Sequence, residues 1–267
     1  CELALGTQTV GSVIRPAAFC GVVGFKPSFG RVSTDGLLLC SPSVDTIGLF
    51  GTEVARVSRG AHAIVERWHV DQPIRQPVLG IPEGPYLEQA DSAGLKGFAD
   101  QVGQLERSGY EVRRVPALQD IGEVNERHGR IQSAEMAIEH ATWMDRHLEQ
   151  YRPKTRDILL RGRLVDARTL EVARLGRGRL RQVLHATMDA AGIDLWICPS
   201  ARGPAPRGLA STGDPVMNLP WTHAGMPAVS LPAGWVGTLP LGLQCVARHG
   251  ADERLLQFAQ ELAAIFG

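Results

Sequence analysis

Long apolar runs are missing from this chain of 267 residues. No uninterrupted stretch of about 18 apolar residues occurs, so no membrane-spanning helix is expected. A surplus of either charge is missing too. The 28 Lys plus Arg balance the 28 Asp plus Glu, and a neutral chain points to neither nucleic acid nor an anionic membrane as partner. The cysteines, at 1, 20, 40, 198 and 245, form no C-x-x-C pair and are odd in number. Neither a disulfide framework nor a zinc site is indicated, and a reducing cytoplasm is the expected compartment. The opening residues lack a basic stretch followed by an apolar one, so no signal peptide is read. Lysine is scarce: Lys26, Lys96 and Lys154 are all there are. Several catalytic and nucleotide-binding motifs are absent as well, namely G-x-S-x-G, GxxxxGK[ST], HExxH and a GxGxxG opening a helix. His62 and His69, like His140 and His147, stand two helical turns apart, which suits no single metal on one helix. They read as surface or core histidines, and no metal or organic cofactor is called for.

What is present fits a globular chain. Hydrophobic residues at 44% and charged residues at 21% leave enough apolar matter for one large core or two modest ones. Cys1 opens the chain in mid-pattern. Leu3, Ala4 and Leu5 run straight into a glycine turn as a buried strand does, which leads us to expect sequence ahead of it. Residues 1–50 read as short strands, tight turns and one short helix over Pro16–Val22. A helix is expected over 52–68, capped by Thr52, with Val54, Val57, Ala61 and Ile64/Val65 inward. His69 to Pro77 reads as a polar linker and Val78–Ile81 as a strand. Asp91 caps the next helix, whose stripe is Leu95, Phe98, Val102 and Leu105 and which Gly109 ends. Tyr110–Val115 is a strand, so this stretch suggests a parallel crossover unit.

From 120 to 192 the pattern is mostly helical. Arg174, Arg177, Arg179 and Arg181 crowd one stretch interrupted by Gly176 and Gly178, and read as a solvated face over a buried side of Leu180, Val183, Leu184 and Met188. Asp194–Cys198 reads as a strand, 200–217 as a loop, Met226–Leu231 and Leu241–Val246 as strands, and Ala251–Phe266 as a closing helix. Cys20, Cys198 and Cys245 fall in apolar patterns, and all five thiols are expected to be reduced and structural.

The stretch from Gly6 to Gly30 carries the chemistry. Gly6 and Gly11 bracket a polar turn, Ser12 follows Gly11, and Pro16 favours a helix start just beyond. Backbone N–H groups in such a loop can converge on one point near a helix N-terminus, the layout an oxyanion hole requires. The residues alone fit two readings, plain turns or a catalytic loop.

The same stretch resembles the diagnostic motif of the amidase signature family, G-T-x-x-G-G-S-[IV]-R-x-P-[AS]-A-F-C-G followed by G-[FLY]-K-P-[TS]. It stands here as Gly6 to Gly21 and Gly24 to Ser28. Ser43 to Gly48, Asp194 to Pro199, Asn218, Gly225 to Ala228, Pro232 to Gly234 and Leu239 to Gln244 resemble later family segments, so the likeness spans the chain and is loosest in the helical middle. It implies an α/β fold in which a mixed sheet is covered by helices on both faces, with the chain as the C-terminal portion of one amidase domain. In that domain 1–50 would hold the nucleophile and oxyanion segment, 120–192 the helical specificity region and 193–267 the closing strands and helix. It implies Ser12 as nucleophile, the amides of Thr9, Val10, Gly11 and Ser12 as oxyanion donors, and a lysine acting through a second, cis-peptide serine as base. Both of those partners precede the nucleophile in the family, and residues 1–11 contain neither. Two further departures stand out. Val10 replaces a glycine, so the loop must take a conformation that a β-branched residue tolerates. The arginine falls at 15 rather than 14.

The activity implied is hydrolysis of a small carboxamide through a Ser12 acyl-enzyme, with 200–217 and 120–165 shaping the acyl pocket. Two other functions fit: the glutaminase subunit of a tRNA-dependent amidotransferase, and an inactive binding module that keeps the fold. No direct nucleic-acid or membrane partner is expected, and association of copies is left open.

Overall fold

The computed structural model describes residues 1–69 and 75–267. The linker read at His69–Pro77 therefore lies partly outside the described residues. Among them, the strands are β1 (Leu3–Gln8), β2 (Val23–Lys26), β3 (Thr46–Gly51), β4 (Leu79–Glu83), β5 (Val112–Pro116), β6 (Leu195–Pro199), β7 (Ala228–Val236) and β8 (Leu239–Val246). They form one sheet in the order β1-β3-β2-β7-β8-β6-β4-β5. β4 pairs in parallel with β5 and β6, and the other pairings are antiparallel. The sheet is mixed, as expected, and β4-helix-β5 is the expected crossover.

Helices lie on both faces. α2 (Val54–Ile64), α3 (Ser92–Arg107) and α9 (Asp252–Phe266) cover one, with Val57, Phe98, Leu105, Leu255 and Leu262 packed on Phe25, Ile197 and Leu243. On the other, α1 (Ile14–Cys20), α4 (Ile121–Glu139), α7 (Ala167–Ala191) and α8 (Leu219–His223) pack Ile14, Val124, Leu184 and Trp221 on Trp196 and Cys198. Side chains alternate across a strand, so Leu195 and Ile197 serve the first core while Trp196 and Cys198 serve the second. α5 (Ala141–His147) and α6 (Pro153–Gly162) extend the α4 side.

Several sequence expectations shift. β1 is not a buried strand. Among the described residues it is the sheet's edge, paired only to β3, and Leu3 and Leu5 are 39% and 63% exposed. α2 starts two residues later than read, with Glu53 rather than Thr52 at the N-cap position and no side-chain cap bond. Asp91 does cap α3, accepting from the Gly94 amide at 2.8 Å, while Leu95 stays exposed. α7 runs unbroken through Gly176 and Gly178. Gly176 serves packing, because a Cβ there would lie 3.2 Å from Arg127 Cδ on α4. The buried side of α7 is Leu170, Leu180, Leu184 and Met188, with Val183 outside. Nor is the arginine stretch wholly a solvated face. Arg177 Nε donates to the His223 carbonyl at 3.1 Å, and its guanidinium lies 4.4 Å over the Phe29 ring. All five cysteines are free thiols, but Cys1 and Cys20 are exposed rather than packed in a core.

Candidate active site

The segment Thr9–Val13 turns the chain from β1 into α1. α1 begins at Ile14, two residues before the proline expected to start it. The reason is a distant cap. Val13 at the N-cap position has no side-chain oxygen with which to receive the first free amides of the helix. The buried side chain of Gln8 supplies one: its Oε1 accepts from Val13 N at 2.8 Å and Ile14 N at 3.0 Å. At the far end Gly21 takes the left-handed conformation, φ 63°, and closes the helix.

The loop itself is oriented by its carbonyls. Thr9 O lies 3.1 Å from His128 Nε2 on α4. Val10 O accepts from the Thr222 hydroxyl on α8 at 2.7 Å. Gly11 O accepts from Arg15 N at 3.0 Å along the axis of α1. In a trans peptide, the carbonyl of one residue and the N–H of the next point in opposite directions, and no cis peptide occurs among the described residues. With three successive carbonyls engaged, the amides of Val10, Gly11 and Ser12 are directed the other way. None of these three donates a hydrogen bond among the described residues. Thr9 differs: its amide belongs to the peptide that starts at the last residue of β1, and its hydroxyl donates to Asp45 at 2.5 Å.

Ser12 follows this row of amides. It is exposed, and its hydroxyl makes no hydrogen bond among the described residues. Gly11 before it is hemmed in, since a Cβ there would meet Asn218 Oδ1 at 2.4 Å and Pro215 Cβ at 2.9 Å. Val10 does not adopt positive φ, so its β-branched side chain brings no strain. Arg15 turns toward the loop at 200–217, donating to Gly213 O at 3.0 Å and to the Thr212 hydroxyl at 3.2 Å. Burial lowers its pKa, with Asp214 opposing that effect.

Behind the loop lies a second layer, in which Ser43 and Asp45 of the family-like segment Ser43 to Gly48 stand with residues of α4 and α7 that no motif marked. Asp45 receives Thr9 on one oxygen and the amides of Cys40 and Ser41 on the other, at 2.6 and 2.8 Å. Glu135 on α4 accepts from the Ser41 hydroxyl at 2.6 Å, the Ser43 amide at 2.9 Å, the Ser43 hydroxyl and Arg174 Nε. Burial pushes this carboxyl up, but those donors outweigh it and hold its pKa below the usual range. The rings of His128 and His223 meet edge-on at 5.6 Å. Burial drives both pKa values down, to about 4 for His128 and about 2 for His223, so both are neutral near pH 7. One signal for this layer is periodicity: Ile121, Val124, His128, Ile131 and Glu135 share the buried stripe of α4.

No lysine of the chain bonds to Ser12. Lys26 is fully buried, donates to Pro27 O at 2.8 Å, and has its pKa lowered to about 7 by burial. Lys96 sits on α3, and Lys154 donates to Ala210 O. Among the described residues no group of three or more His, Cys, Asp or Glu is placed to hold a metal ion. Nor is any helix long and apolar enough to cross a membrane.

The Amidase family model matches residues 1–256. The chain is 28% identical over 307 residues to a glutamyl-tRNA(Gln) amidotransferase subunit of Synechococcus sp. (strain CC9902), covering 98% of this chain and 62% of that protein. It is 26% identical over 301 residues to Amidase 1 of Oryza sativa subsp. japonica, covering 98% and 67%. A solved structure described as a crystal structure of amidase superposes with a TM-score of 0.91 at 30% identity, covering 99% of this chain and 63% of that one. The chain thus spans about three fifths of the length of the first relative and of that solved chain.

Proposed function

The chain belongs to the amidase signature family, and on that premise we propose that it carries the nucleophile of an enzyme hydrolysing small carboxamides. The observation that carries this reading is the row of undonated amides of Val10, Gly11 and Ser12 beside a free Ser12 hydroxyl. Ser12 Oγ attacks the carboxamide carbon. The oxygen that becomes negative is received by those amides, which meet developing charge without having to reorganise. Collapse expels ammonia or an amine and leaves an acyl-Ser12 ester, which water cleaves to the carboxylate. Thr9, on this reading, contributes through its tie to Asp45 as well as through its place at the head of the loop.

A serine hydroxyl needs a base. The family's lysine and bridging serine are proposed to come from residues ahead of Cys1, because the three lysines here are engaged or placed elsewhere. The acyl pocket is proposed to lie against 200–217 and the α4–α6 region. This is supported by the press of Pro215 and Asn218 on Gly11 and by the contact of His128 with Thr9. A second reading has one observation in its favour, the 28% identity to an amidotransferase component. In that case the amide is that of glutamine, and turnover depends on partner proteins. Ammonia release from simple amides by the isolated full-length protein separates the two.

The assignment of Ser12 is tested with a fluorophosphonate probe on the full-length protein. The adduct is expected on Ser12, and Ser12→Ala is expected to abolish turnover. An adduct mapped elsewhere, or undiminished turnover in the alanine variant, overturns it.

A further inference from the structure

The inward stripe of α4 is apolar on either side of His128, with Val124 and Ile131 as its neighbours. A polar ring in such a position is costly unless its hydrogen-bonding groups are met. His128 is fully buried, and only one of its nitrogens is met. Nδ1 has no partner among the described residues, while Nε2 faces Thr9 O. A carbonyl oxygen can only accept, so in the neutral ring the single N–H sits on Nε2. The whole donor capacity of this buried imidazole therefore goes to one peptide of the Thr9–Ser12 loop.

Thr222 on α8 does the same for the next peptide. It is buried, accepts from Gln8 Nε2 at 2.8 Å and offers its hydrogen to Val10 O at 2.7 Å. Its other acceptor, Asn218 O, is farther off at 3.2 Å. Two helices distant in sequence thus each reach one carbonyl of the same loop. Because a peptide is planar and trans, gripping the carbonyl fixes the direction of the following N–H.

We infer that His128 and Thr222 are positioning residues: by gripping the Thr9 and Val10 carbonyls they aim the Val10 and Gly11 amides at the oxyanion of the Ser12 reaction. This rests on Ser12 being the nucleophile. The ground-state substrate has a neutral carbonyl and the transition state a charged one, so misaimed amides cost kcat rather than KM.

The experiment uses the full-length protein and an amide it turns over. Four variants are compared for kcat and KM: His128→Leu, His128→Gln, Thr222→Val and Thr222→Ser. His128→Leu and Thr222→Val are expected to lower kcat on the order of 10²-fold, the scale of a misplacement near 1 Å, with KM little changed. His128→Gln and Thr222→Ser keep a donor and are expected to restore most of kcat. If His128→Leu fails to fold, Thr222→Val, which is close in volume, carries the test. Full kcat in the donor-less variants overturns the inference. So does a loss that the glutamine and serine variants share equally with folds intact by near-ultraviolet circular dichroism, or a change confined to KM. Ser12→Ala run alongside separates the causes: if it retains turnover the nucleophile is wrong, and if it alone is dead only the positioning role fails.

Discussion

Gly11 shows how little freedom the loop has. Its Cα faces Asn218 Oδ1, an oxygen with no hydrogen-bond partner among the described residues, and even a methyl group would stand 2.4 Å from it. Asn218 cannot easily retreat, because its Nδ2 is held by Ser200 O at 2.8 Å and Gln244 Oε1 at 2.9 Å. Gly11→Ala must therefore move the loop or the asparagine. The expected outcome is a loss of about 1–3 kcal/mol of stability, the usual cost of overpacking. With it goes a fall in kcat on the order of 10²-fold from displaced amides, measured by thermal melting and steady-state kinetics of the full-length protein. Unchanged values on both would mean that the contact with Asn218 is slack. Here the glycine is a packing requirement as well as a turn residue.

At the scale of elements, α1 depends on a residue outside it. Gln8 is the last residue of β1, yet its side chain receives the two amides that open the helix. Gln8→Leu would leave both donors buried without an acceptor, each at about 1–3 kcal/mol. A loss on the order of 2–5 kcal/mol is therefore expected in urea or thermal unfolding, and a loss below about 1 kcal/mol would show that water replaces the side chain. The same fact explains what the sequence made legible here. Pro16 and the apolar run located the helix, but its start follows from Gln8, a cap from another element that no local pattern reveals. Gly176 and Gly178 misled for a related reason. A helix-breaking tendency of about 1 kcal/mol each is overridden by the packing of the long helix α7 as a whole, with Gly176 close against Arg127 of α4 and Gly178 facing open space. The motif letters placed Ser12 and the loop, whereas His128 and Thr222 lie far away in sequence and are joined to the loop only by folding. His128 left a faint sign, as a polar residue in an apolar stripe.

Across the whole molecule, the kinds of element were readable and their order in the sheet was not. Strand-helix-strand near 78–115 foretold the parallel pair β4 and β5. Nothing local foretold that β6 would pair with both β4 and β8, because those pairings join residues far apart in sequence, Leu79 with Leu195 and Ile197 with Cys245. The burial of β1 meets the same limit: the apolar run Leu3, Ala4 and Leu5 is plain in the sequence, but which neighbours it has is not. The resulting rim has a consequence for handling the 267-residue chain. Leu3 and Leu5 project from a strand whose outer hydrogen-bonding groups face no other strand among the described residues, and such a rim is a template onto which another copy can lay its own strand. Purified alone, the chain is expected to form concentration-dependent oligomers by light scattering. Leu5→Lys should suppress them without altering the melting of the sheet, since a charge on an open rim repels its like. If the lysine variant assembles as readily as the parent, growth proceeds from some other face; if it stays monomeric, β1 is where a polymer of this chain would begin.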